Sequence, residues 1–280
     1  MNKASSLQAS SLQAASLLGL SGVFAALLLA GGLSGCAASA PSATATPEAF
    51  TESDEPENRK RATNRLKLAV LYFQDGKYNF ALDEIKQAIL TDPNWFEPYG
   101  MRGLIYMQTG DYAQSEASLQ KALSINPRAS ELKHNYGFLL CKMKRPAEAM
   151  KMFGAALADP AYGQRAKTWA EQGRCQLANG EKAEAEASFM HSYELDAGNP
   201  VTGLSLSTLL FQRGEMVRAQ FYTRRINNSD RASAESLWLG IKIERSLGSK
   251  DAQAQLEAQL RRRFAQSPEA MALERGAFNE

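Results

Sequence analysis

From Ala62 onward, small, aromatic and aliphatic residues recur in a fixed order with a period of 34. Gly76, Tyr78, Ala81, Ile85, Ala88 and Pro93 return as Gly110, Tyr112, Ser115, Leu119, Ala122 and Pro127. The pattern predicts two helices per unit. With each unit indexed so that Ala81 or its equivalent is position 20, small residues at positions 8 and 20 let the helices approach closely, and bulky residues fill the space beside them. Gly76, Gly110, Gly180 and Gly214 fall where the first helix ends in a left-handed residue. Pro93 and Pro127 fall where the second helix stops, because proline cannot continue the hydrogen-bond ladder. Such a unit cannot bury its apolar face alone, so neighbours must stack on it.

Period and residue order together are the tetratricopeptide signature. The expected fold is therefore all-α: a right-handed solenoid of about six helix-turn-helix repeats, near residues 62–95, 96–129, 130–163, 166–199, 200–233 and 234–268, with a two-residue slip before the fourth. The fifth and sixth units are weaker, as expected of terminal repeats with a solvated face. A solenoid of this kind offers a curved groove for another protein.

Residues 1–35 do not fit the repeat. Lys3 is the one charged side chain there, and Leu17 to Leu33 is an apolar run ending in Leu33-Ser34-Gly35-Cys36. The run is short for a membrane span of about 20 residues and suits the core of a signal peptide. Its last four residues resemble the lipobox of bacterial lipoproteins, which implies that Cys36 is lipidated and becomes the new N-terminus. In such lipoproteins a residue other than Asp after the cysteine permits export to the outer membrane, and here it is Ala37. The expected location is the outer membrane, lipid-anchored and facing the periplasm. Residues 36–58, rich in Ala, Ser, Thr, Pro and acids, are expected to be a disordered tether reaching about 60 Å when extended. Residues 59–280 are then the repeat domain.

Charge and cysteines narrow the picture. Lys and Arg number 32 against 30 Asp and Glu, so no basic field suited to nucleic acid emerges. The runs Arg59-Lys60-Arg61 and Arg261-Arg262-Arg263 are read as solvated helix faces, with contact to anionic lipid or an acidic partner as the alternative for the second. Lipidation of Cys36 leaves Cys141 and Cys175, on the first helices of adjacent repeats. In an oxidising periplasm they are expected to form a structural disulfide. Buried free thiols and a redox-active pair are the alternatives, the latter without a Cys-x-x-Cys motif.

Signals for catalysis are weak. The two histidines, His134 and His191, stand on different repeats, and there is no metal-ligand spacing, phosphate-binding glycine loop or Gly-x-Ser-x-Gly elbow. The chain is expected to be a binding protein with no cofactor beyond the Cys36 lipid, no metal and no small-molecule substrate. By resemblance to tetratricopeptide proteins, positions 2, 5, 6, 9, 12 and 13 of each first helix line the groove. These include Leu66, Val70 and Phe73 in repeat 1, Met101, Leu104 and Met107 in repeat 2, and His134, Asn135 and Phe138 in repeat 3. The groove is thus apolar at its N-terminal end, a surface for a partner's helix or strand.

Three further stretches carry a narrower likeness: His134-Asn-Tyr-Gly-Phe-Leu-Leu-Cys141, Gly173-Arg-Cys175 and Ser236-Leu-Trp238-Leu-Gly-Ile-Lys-Ile-Glu-Arg245. With the lipobox and six repeats, they resemble the PilF/PilW lipoproteins of type IV pilus biogenesis. The resemblance implies a pilotin that binds the pilus secretin and promotes its outer-membrane localisation and multimerisation. The alternatives are a scaffold for β-barrel assembly or cell-wall enzymes, and, in a different class, a thiol-dependent periplasmic enzyme.

Overall fold

The computed structural model describes residues 55–278, so Cys36 and the expected signal peptide lie outside the described residues, as does most of the expected tether. Among the described residues every regular element is a helix. They pair as α1 (Glu57–Gln74) with α2 (Tyr78–Thr91), α3 (Phe96–Thr109) with α4 (Tyr112–Ile125), and α5 (Ser130–Lys142) with α6 (Pro146–Leu157). Then come α7 (Arg165–Ala178) with α8 (Lys182–Leu195), α9 (Pro200–Gln212) with α10 (Met216–Asn227), and α11 (Ala234–Ser246) with α12 (Lys250–Arg263). A short α13 (Pro268–Glu274) follows. Each helix packs on its chain neighbours, and the first helices also touch one another directly: α1 with α3, α3 with α5, α5 with α7, and α9 with α11. The result is an all-α repeat solenoid.

The crossing within each pair explains the periodic small residues. Ala69 and Ala81 are fully buried where α1 crosses α2. In the next pair, Ser115 donates its hydroxyl hydrogen to the Gly103 carbonyl at 2.7 Å across the crossing. A Cβ at Gly137 would stand 2.8 Å from the Phe153 ring, and one at Gly173 would stand 2.9 Å from Phe189. Both rings are fully buried. The bulky residue of the second helix therefore fills the hole left by the glycine of the first. Overpacking such a hole typically costs about 1–3 kcal/mol.

The first helices of five repeats end on left-handed glycines: Gly76, Gly110, Gly180, Gly214 and Gly248. Repeat 3 breaks the rule. Lys144 takes that place with φ 58°, a geometry costing a non-glycine residue about 1–2 kcal/mol. Lys144→Gly should raise unfolding stability by about 0.5–1 kcal/mol, after allowing for the backbone entropy of glycine. The denaturant midpoint checks this. A lower midpoint would contradict it.

Three features depart from the sequence reading. Helix α1 starts at Glu57, ahead of Ala62 and inside the expected tether, because Pro56 sets an extended entry and Glu57 suits the positive end of the helix. The arginine runs are not merely solvated. Arg59 donates to Asp92 at 2.6 Å and lies 4.8 Å over the Trp95 ring. Arg261 donates to Glu274 at 2.7 Å, and Arg263 donates to the Ala232 carbonyl at 3.2 Å. The C-terminus beyond the sixth repeat is also ordered into a cap. Ala270, Ala272 and Leu273 of α13 join Leu237, Trp238, Ile241 and Leu260, while Phe278 stacks on Trp238 at 5.2 Å. This cap covers apolar surface that a seventh repeat would otherwise have to bury.

Candidate functional site

The first helices of repeats 1–3 line a concave cavity of about 660 Å³. Leu66 and Val70 come from α1, Met101 and Leu104 from α3, and Asn135 from α5. All five belong to the expected groove, and all are partly exposed. The connection 158–164 supplies Asp159, Ala161, Tyr162, Gly163 and Gln164 as a further wall. Asp159 accepts from the Ser130 hydroxyl at 2.8 Å and from the Ala161 N–H at 2.9 Å, which holds this wall against α5.

The other four expected groove residues do not line this cavity. Met107 is 7 % exposed within the core cluster of Leu119, Leu132 and Leu139. Phe73 packs on Tyr78 with ring centres 5.7 Å apart. Phe138 packs against the clusters of repeats 2 and 3, with Lys142 Nζ 5.0 Å from its ring. His134 is corrected most plainly: it is 3 % exposed and not presented to a partner. Its Nδ1 lies 2.8 Å from Thr168 Oγ1 on α7, and that hydroxyl donates to Tyr162 Oη at 3.2 Å. The long connection before α7 brings Tyr162 back over the histidine and closes it in.

Burial, with a smaller contribution from the Lys167 charge, lowers the His134 pKa to about 4. The folded state thus keeps a neutral ring where the unfolded chain, near 6.5, would take up a proton. The stability from the neutral ring is complete above pH 6.5 and is lost as pH falls toward 4. The full contribution is on the order of 3 kcal/mol. Urea midpoints measured between pH 7 and 5 should fall, and His134→Gln should flatten that slope. An unchanged slope in the variant would contradict the assignment.

Cys141 on α5 and Cys175 on α7 are bridged, with sulfurs 2.17 Å and Cα atoms 5.8 Å apart. The bridge lies at the other end of α5 and α7 from the His134–Thr168 contact. The two first helices beside the cavity wall are therefore fastened at both ends.

Two charged groups in the cavity escaped the sequence reading. Glu97 and Glu131 both line it, each one residue into the first helix of its repeat. Both stand at position 2, so the period itself could have singled them out. Burial raises the Glu97 pKa, and the Glu131 charge adds to the rise against the opposing Arg59 charge.

Comparison with known proteins fits this architecture. The tetratricopeptide repeat family matches residues 96–128 and 166–199, the second and fourth helix pairs. The type IV pilus assembly protein PilF of Pseudomonas aeruginosa is 26% identical over 242 residues, covering 86% of this chain and 93% of PilF. The crystal structure of PilW, described as a widely conserved type IV pilus biogenesis factor, superposes with a TM-score of 0.66 at 30% identity, covering 76% of this chain and 97% of PilW. The chain belongs to the PilF/PilW family. The solved P. aeruginosa PilF has the same fold, with a TM-score of 0.70 at 24% identity over 79% of this chain and all of PilF. Against these PilF/PilW relatives, the match spans far more than the two repeats that the general tetratricopeptide pattern detects.

Proposed function

We propose that this protein acts in type IV pilus biogenesis as an outer-membrane lipoprotein that binds the pilus secretin through the groove of repeats 1–3. The observation that carries the reading is PilF/PilW family membership across most of the chain. The partly exposed Leu66, Val70, Met101 and Leu104 supply an apolar floor on which a partner segment can bury surface. Lipid on Cys36 supplies the membrane address and the segment up to Pro56 supplies reach. No described helix is long and apolar enough to cross a membrane, so within this reading the lipid provides the attachment. The role is binding. In support of this reading, His134 is enclosed and Cys141 and Cys175 form a bridge between neighbouring repeats.

Pull-down of the native protein from detergent extracts tests the proposal. Secretin should co-purify. Barrel-assembly proteins or peptidoglycan hydrolases in its place would favour the scaffold alternative.

A further inference from the structure

The geometry points to a partner segment that is both apolar and basic, its lysine or arginine seated between Glu97 and Glu131. This inference rests on the groove being the binding surface of the proposed function and adds the chemistry that it selects. Leu66, Val70, Met101 and Leu104 form an apolar floor, and the two carboxylates line the same cavity from consecutive repeats. Among the described residues, neither carboxylate is in a salt bridge. Asp159 is a third acid in the lining but is already satisfied by Ser130 and Ala161. Arg128 is the one cationic side chain lining the cavity, so acids outnumber it.

An acid in the first turn is ordinarily explained by the helix dipole, which favours its charged form. Glu97 shows the opposite tendency: burial raises its pKa against the Arg59 charge and a hydrogen bond from the Trp95 side chain, and the Glu131 charge adds to the rise. Two like charges lining one groove from consecutive repeats are relieved by a cation placed between them. A partner's lysine or arginine does this while its apolar neighbours cover the floor. The chain's own preceding segment is a poor occupant. Residues 37–55 carry Glu48, Glu52, Asp54 and Glu55 and no lysine or arginine, and Glu55 itself pushes the Glu97 pKa upward.

The test uses the full chain and two labelled decapeptides, one alternating leucine with lysine and the other leucine with glutamate, read by fluorescence anisotropy at low salt. The lysine peptide should bind at least about tenfold more tightly. The Glu97→Gln/Glu131→Gln double variant should abolish that preference while melting at the wild-type temperature or above. Equal binding of the two peptides, or a preference unchanged in the double variant, would overturn the inference. Overlapping secretin peptides offered as competitors in the same assay address the partner separately. If they fail to compete while the lysine preference holds, the secretin reading falls and the basic selectivity stands. If they compete but the preference is absent or unaltered by the double substitution, the basic selectivity falls.

Discussion

Replacing Cys141 and Cys175 with serine should lower the stability of the repeat domain by about 3–4 kcal/mol, the chain-entropy expectation for a closed loop of this size. The bridge spans a sequence separation of 34, one full repeat, and joins α5 directly to α7. Its loss unfastens α5 from α7, the first helices of repeats 3 and 4. Denaturation with and without reductant reads the effect. The wild type under reducing conditions should match the double variant, and the variant should not respond to reductant. A wild-type midpoint indifferent to reductant would mean that the bridge does not form in solution.

Cys36→Ala should have the largest effect in the cell. In the proposed mechanism the groove grips the secretin while the lipid positions the complex. The variant should therefore fold with an unaltered helical spectrum, but leave secretin monomeric or mislocalised. Several acyl chains provide the attachment in this reading, since each buried methylene contributes about 0.8 kcal/mol and a single chain holds only marginally. Semi-native electrophoresis of fractionated membranes measures the outcome. Normal secretin multimers in the outer membrane of the variant would sink the proposed role of the lipid.

Much of the solenoid was legible from sequence because its determinants are local and repeated. Glycine at the end of five of the six first helices and proline after α2 and α4 act within one turn, so the 34-residue period exposes them. The cysteine pairing was legible for the same reason, since one period separates two residues on neighbouring first helices. What escaped are the places where the chain leaves its own rule. The connection 158–164 is longer than a standard one, and only folding shows that Tyr162 returns to cover Thr168 and His134. A rule assigning position 5 to the groove therefore misplaced His134. Met107 was misplaced by a similar logic, because the neighbouring repeat packs over it. The cap formed by α13 and Phe278 has no counterpart inside a repeat, and no periodic signal announces it. Glu97 and Glu131 stood in plain register, but attention to apolar positions passed over them.

The groove itself can be tested in place. A photo-crosslinking amino acid at position 104, in the full-length lipoprotein expressed in its own cells, samples whatever rests on the cavity floor. The same residue at position 217 serves as a control, because Val217 is 70% exposed on α10, away from the groove-lining helices. The account predicts a light-dependent product between position 104 and the secretin subunit, and none from position 217. A product with a barrel-assembly protein or a cell-wall hydrolase, or secretin captured only from position 217, would contradict it.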